Sequence, residues 1–190
     1  LDGSALYAAT DAGIYVSRDR GVRWQHISEG LSESARVQTL VVSSKTILAG
    51  TTQGLYRWRE GRWVNAGGSF AGAAVRPMVV DARRPDRVYA ATSKGLFRSA
   101  DGGENWSALQ SIPGESAVLA LAPGDRNALY AGTPRGAWLS PDDGRTWNPS
   151  NTGLVGTSIN DLLIPPDNSN ALLAATRSGL AYSPDRGKTW

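Results

Sequence analysis

The 190-residue chain has no cysteine and a single histidine, His26. It therefore cannot build a disulfide framework, a thiolate nucleophile, a cysteine-rich zinc site, or any site needing two histidines from one chain. Long hydrophobic runs are missing as well. No stretch approaches the ~18 apolar residues of a membrane-spanning helix. Lysine is scarce, at 3 against 17 arginines, and the formal net charge is only +3. The calculated pI of 9.4 comes without any Lys/Arg run. That pattern gives no footprint for nucleic acid. Against these absences stand 22 glycines and 10 prolines, which disfavour long helices and supply many turns. The length suits one domain with a substantial core.

Internal repetition dominates what is present. Five segments share one pattern: an aliphatic residue, Tyr or Leu, Ala, Ala or Gly, Thr, two free positions, Gly. They begin at Leu6, Ile47, Val88, Leu129 and Leu172 and close at Gly13, Gly54, Gly95, Gly136 and Gly179, spaced 41, 41, 41 and 43 residues apart. A second landmark, Ser-x-Asp-x-Gly-x-x-Trp, follows four of them. Its fixed residues are Ser17, Asp19, Gly21 and Trp24; Ser99, Asp101, Gly103 and Trp106; Ser140, Asp142, Gly144 and Trp147; Ser183, Asp185, Gly187 and Trp190. The second repeat keeps Gly61 and Trp63 but has no Asp.

Each unit reads as four short strands. The inner runs, Val37–Val42, Val75–Val80, Ala117–Ala122 and Ile159–Ile164, are almost continuously apolar, as expected of strands buried on both faces. Ala and Gly in the second strand keep it thin, so that neighbouring sheets approach closely. Four strands in about 40 residues is the pattern of a propeller blade. The expected fold is an all-β propeller of antiparallel blades, with units near 1–30, 36–67, 75–110, 117–150 and 159–190 forming one propeller or an arc of a larger one. The first unit lacks an inner strand and the fifth an outer one. Eighteen strands are thus expected where five closed blades need twenty, and the missing ones are expected from a longer chain or a neighbour. Gly67 to Gly72 reads as a flexible connector.

The Asp of the second landmark is short enough to accept bonds from loop amides that otherwise lack partners. The Gly two residues on can take positive φ, the Ser hydroxyl can bond across the same turn, and the Trp covers the hairpin base. Four copies at one period read as loop braces, not as catalytic groups or calcium ligands.

These four motifs resemble the Asp-box, or BNR, repeat of sialidases, sortilin-type receptors, xyloglucanases and photosystem II assembly-factor propellers. The resemblance spans essentially the whole chain. It implies that the Asp-box lies away from the ligand face, and that loops at the other strand ends carry function. On that face would stand Asp11, Gln53, Lys94, Arg135 and Arg177 from the Thr-x-x-Gly turns, and Arg36, Gln38, Arg76, Glu115, Asn160 and Asp161 at the inner-strand starts. One basic residue comes from nearly every unit. A binding set of Arg36, Arg76, Lys94, Arg135, Arg177 and Gln53 would suit an acidic protein segment or another anionic ligand. The expected function is a non-catalytic binding or assembly scaffold, with no cofactor or metal, a protein or peptide partner, and an extracytoplasmic setting (secreted, periplasmic or lumenal). The alternative is a fragment of a xyloglucanase-type glycoside hydrolase taking carbohydrate. Asp11, in a Thr-Asp-x-Gly setting similar to the xyloglucanase catalytic loop, would be one acid/base group and Asp161 its partner. Trp58 and Trp138 would be sugar platforms in that alternative; lying in third strands, they are expected instead to pack between blades. His26 is expected at the surface, and the sequon Asn105-Trp106-Ser107 is a chance match inside an Asp-box.

Overall fold

A computed structural model describes residues 5–114, 120–154 and 158–190. Those residues form eighteen strands in five antiparallel sheets. The first sheet holds β1 (Leu6–Thr10), β2 (Gly13–Ser17) and β3 (Gln25–His26). The second holds β4 (Val37–Val42), β5 (Ile47–Thr51), β6 (Gly54–Arg59) and β7 (Arg62–Asn65). The third holds β8 (Val75–Asp81), β9 (Arg84–Thr92), β10 (Gly95–Ser99) and β11 (Ser107–Ala108). The fourth holds β12 (Ala120–Pro123), β13 (Leu129–Thr133), β14 (Gly136–Ser140) and β15 (Asn148–Pro149). The fifth holds β16 (Ile159–Leu163), β17 (Leu172–Thr176) and β18 (Gly179–Ser183). Strands follow one another in space as in sequence, so every sheet is a meander. Of the expected inner strand at 117–122, residues 117–119 lie outside the described residues. No helix of the described residues is long and apolar enough to cross a membrane.

The chain divides into two compact units, one running to Ser107 and the other from Ala108. In the first, sheets pack face on face. Ile14 of β2 joins Ile47, Ala49, Tyr56 and Trp63 in one core cluster. Leu48 and Leu55 join Val75, Val88, Ala90 and Phe97 in another. All five residues of β5 are buried, as expected of a strand covered on both sides. Gly50 in β5 marks the closest approach: an added Cβ would sit 2.6 Å from Thr39 Cγ2 and 2.9 Å from Val75 Cγ1. In the second unit, Ala137, Ile159, Leu172 and Ala174 share a core with Tyr130. Gly132 of β13 would there push a Cβ to 2.5 Å from Ile159 Cγ2.

One loop differs from expectation, and another keeps its turn without the Asp. The 67–72 connector is anchored, not flexible: Gly68–Phe70 forms a 3-10 turn and Phe70 is fully buried. Its ring lies 4.4 Å from Phe97 and edge-on to Trp106 at 5.4 Å. Burying a large aromatic offsets the entropy that the glycines around it would otherwise keep. In the second sheet, where the Asp is missing, β6 and β7 are joined by Glu60 and Gly61 alone, with Arg59 facing Arg62. Both residues have positive φ, 51° and 84°, which suits a two-residue turn between twisted strands.

Candidate functional site

The two ends of the hairpins are built differently. At one end lie the four Asp-box loops. In each, the Ser hydroxyl donates to the Asp Oδ1, at 2.9, 2.7, 2.9 and 2.9 Å for the pairs 17–19, 99–101, 140–142 and 183–185. The same Ser oxygen accepts the N–H of the box Gly at 2.7–2.8 Å. The carboxylate then takes loop amides: Arg23 N–H at 2.8 Å, Asn105 at 2.9 Å, Thr146 at 2.8 Å and Thr189 at 2.8 Å. The second carboxylate oxygen is used in three boxes, by the Asn105 amide and by the Thr146 and Thr189 hydroxyls. Two consecutive residues with positive φ close each loop, Arg20 and Gly21 in the first (60° and 90°).

These bonds set the acidities. In Asp101, partial burial pushes the pKa up but is outweighed by the Asn105 amides, the Ser99 hydroxyl and the Glu104 N–H, leaving it at about 2. Burial likewise opposes Asp142, where the Thr146 hydroxyl and N–H prevail and lower the pKa. Asp19 is lowered chiefly by the Arg23 N–H, and Asp185 chiefly by the Thr189 hydroxyl. A carboxylate whose lone pairs are taken by its own loop is a poor general acid at neutral pH.

Three box-position tryptophans reach outside their own loop. Trp63 Nε1 donates to Ile27 O at 2.5 Å, Trp147 Nε1 to Gln110 O at 3.0 Å and Trp190 Nε1 to Ser150 O at 2.8 Å. The backbones follow: Trp63 N–H donates to Glu29 O and Trp190 N–H to Thr152 O. Gly30 and Gly153 make room, since a Cβ on either would land on the Trp63 or Trp190 carbonyl oxygen. Among the described residues the Trp24 indole N–H bonds within its own box, to Gly21 O, and the side chain stays 44% exposed.

At the other end lie the Thr-x-x-Gly turns. In all five, the Thr hydroxyl donates to the Gly carbonyl, at 3.0, 2.9, 2.9, 3.0 and 2.7 Å for Thr10, Thr51, Thr92, Thr133 and Thr176. The same oxygen accepts an N–H two residues on. The closing glycines sit at φ between 119° and 135°, where a side chain is strained. The two free positions therefore point their side chains outward from a rigid hairpin tip. Thr was visible in the repeat, but its double role follows only from the turn geometry.

Asp11, Gln53, Lys94, Arg135 and Arg177 are all exposed on these tips. Gln53 donates to Ser34 Oγ at 2.7 Å, Lys94 Nζ to Ala71 O at 3.1 Å and Arg135 Nη1 to Gly114 O at 3.0 Å. Each of these bonds ties a tip to the connector that leads into the inner strand of the same sheet. Arg177 makes no side-chain hydrogen bond or ion pair among the described residues. Arg36, Gln38 and Arg76 are exposed at inner-strand starts, Arg76 directly before cis Pro77. Asn160 and Asp161 are exposed at a bulge in β16, where Asp161 Oδ1 accepts the Leu162 N–H at 2.9 Å. Glu115 lies outside the described residues.

Two of these residues share a cavity. Asp11 and Arg36 line a cleft of ≈ 330 Å³ between the β1–β2 tip and the 28–36 connector. His26, Ser32 and Glu33 add polar groups, and Leu31 and Val37 an apolar floor. The connector that forms its far wall is bonded at both ends. Ser28 Oγ accepts the Ile14 N–H at 2.8 Å, while Arg36 N–H reaches Thr52 Oγ1 at 3.2 Å. Glu33 was not singled out by sequence, since nothing in the repeat marks connector residues. His26 is exposed as expected, its ring 5.0 Å from Tyr15 and Nε2 3.3 Å from Ala12 O. Asp161 belongs to the second compact unit and Asp11 to the first. Trp58 packs edge-on to Trp63 at 5.3 Å against the core shared by the first two sheets, and the buried Trp138 indole N–H has no partner among the described residues. The Asn105 amide of the sequon is engaged by Asp101.

Box loops at one end of each hairpin and polar tips at the other define an Asp-box type of β-propeller. A sequence profile of the HVO_0234-like beta-propeller family matches residues 1–160, and the chain belongs to that family. No curated protein matches its sequence. Among solved structures it is similar to the extracellular domain of the putative one-component system BT4673 from Bacteroides thetaiotaomicron, at 18% identity and TM-score 0.78, covering 96% of this chain and 26% of that one. It is similar also to the GH74 xyloglucanase from Xanthomonas campestris, at 19% identity and TM-score 0.71, covering 100% of this chain and 36% of that one. A third is YCF48 bound to D1 peptide, at 21% identity and TM-score 0.70, covering 96% and 61%. The chain thus spans between a quarter and two thirds of the length of these structures.

Proposed function

We propose that the chain is a non-catalytic binding scaffold whose hairpin-tip end takes a segment of a partner protein. The cleft holding Asp11, Glu33 and Arg36 carries this reading. It is concave, floored by Leu31 and Val37, and rimmed by charges of both signs on backbone that is bonded at both ends. Rigid sites of that kind bind without a large ordering cost. Arg76 and Lys94 add positive charge to the exposed tips and strand starts of the same unit, as Arg135 and Arg177 do in the other, which favours acidic segments. YCF48, a structural relative, is seen bound to a peptide. An extracytoplasmic setting is in keeping with the extracellular domain among the similar structures. The test is fluorescence anisotropy with a labelled twelve-residue peptide of alternating Asp and Ala. Binding should weaken about fivefold or more from low to physiological salt and be lost in an Arg36→Glu, Lys94→Glu double variant. Absence of binding, or indifference to that double variant, contradicts the reading.

A glycoside hydrolase fragment is the second reading, favoured by one observation: Asp11 shares its cleft with another carboxylate, Glu33. Paired carboxylates across a cleft are what glycoside hydrolysis requires. Release of reducing ends from xyloglucan, abolished by Asp11→Asn with the fold intact, would establish it. No release by the wild type would remove it.

A further inference from the structure

A second cavity lies at the other end of the hairpins, in the unit beginning at Ala108, and neither reading above uses it. It encloses ≈ 210 Å³ beside the last Asp-box. Tyr130 of β13 and Leu139 of β14 form its walls with Ala128 and Pro141. Its rim carries three cations, Arg126, Arg186 and Lys188, against one carboxylate, Asp125. The rim is held in place. Arg186 N–H donates to Asn170 O at 2.7 Å and its Nε to Asn170 Oδ1 at 2.7 Å, which leaves the terminal guanidinium nitrogens for another acceptor. The buried Tyr130 hydroxyl donates to Arg186 O at 3.2 Å, fixing the ring that forms one wall. Arg126 and Lys188 are exposed, and among the described residues their side chains make no hydrogen bond or ion pair. Burial pushes the Tyr130 phenol pKa up; the Arg186 charge opposes that shift and the Asp125 carboxylate adds to it.

From this we infer a binding pocket for a small organic anion: a carboxylate or similar acidic head carried on a flat apolar body of one or two rings. The apolar walls take the body, since cavities of about 150 Å³ already admit a benzene ring. The surplus of two positive charges on the rim takes the head. Neutral apolar molecules gain only the walls, and small inorganic anions only the rim.

Calorimetric titration with indole-3-acetate and with its uncharged analogue indole-3-acetamide tests the assignment on the whole chain. The acid should bind saturably at one site, about tenfold tighter than the amide. An Arg126→Gln, Lys188→Gln double variant should lose about tenfold in acid affinity while leaving the amide unchanged. Leu139→Trp, which fills the cavity, should remove binding of both, and if it melts early the exposed double variant alone decides. Arg36→Glu, at the other end of the molecule's hairpins, should leave indole-3-acetate binding untouched, so failure here and failure of the scaffold reading are separable. No saturable binding of the acid, equal affinity for acid and amide, or an unaffected double variant would overturn the pocket.

Discussion

The box aspartates show how one residue type acquires its role from its loop. Each sits at the centre of donors supplied within five residues, and in three of the four both carboxylate oxygens are engaged. Asp101 takes four donors: the Ser99 hydroxyl, the Glu104 N–H and both Asn105 groups. Replacing it by Ala leaves those donors to water and should cost about 1–2 kcal/mol in urea unfolding. The pH dependence follows from the depressed pKa. Folded Asp101 titrates near 2 and the unfolded residue near 3.8. Its contribution is therefore fully present above pH 3.8 and is lost as the pH falls through about 2. Asp19, Asp142 and Asp185 shift in the same direction. Denaturant midpoints should accordingly fall between pH 4 and 2, and Asp101→Asn should flatten part of that slope. This layer was largely legible in sequence, because Ser, Asp and Gly at fixed spacing can satisfy one another locally. The Thr-x-x-Gly tips repeat five times with equal fidelity, yet the two hydrogen bonds of the Thr hydroxyl are not legible there, since a β-branched residue in a strand already has a sufficient reason to be there.

At the scale of elements, sheets are joined by what their loops reach. Trp63 illustrates the connection: its ring is buried, its N–H is spent on Ile27 O, and Gly30 is bare so that its carbonyl fits. Trp106 occupies the same repeat position, but among the described residues its buried N–H has no partner, and its ring stands on Phe70 instead. The two should respond differently to Phe. Trp63→Phe loses a bond and strands the Ile27 carbonyl, costing about 1 kcal/mol more than Trp106→Phe, where no bond is lost; thermal melts of the two variants compare them directly. Sequence alone assigned these tryptophans to their own hairpins. Their acceptors lie 36 to 40 residues upstream, a distance at which a single sequence carries no pairing signal. The Phe70 anchor was missed for the opposite reason: three glycines nearby read as mobile chain, while one buried ring outweighs them.

Across the molecule, the hairpins present two chemically distinct ends. Box loops saturate their own polar groups, whereas Thr-x-x-Gly tips turn theirs outward on rigid backbone. The period, the strand count per unit and the propeller class were legible because 41-residue spacing forces each copy into the same small sheet. Which tips gather into a cleft was not, since that depends on a connector, residues 28–36, that shows no repeat pattern. The most direct test is a paired measurement of stability and of acidic-peptide affinity on two sets of variants, single Asp→Asn changes in the boxes and single Arg→Glu or Lys→Glu changes at Arg36 and Lys94. The account predicts that box variants lower the unfolding midpoint and leave affinity within about twofold, while tip variants do the reverse. Box variants that abolish binding while the protein stays folded, or tip variants that leave it intact, would contradict it.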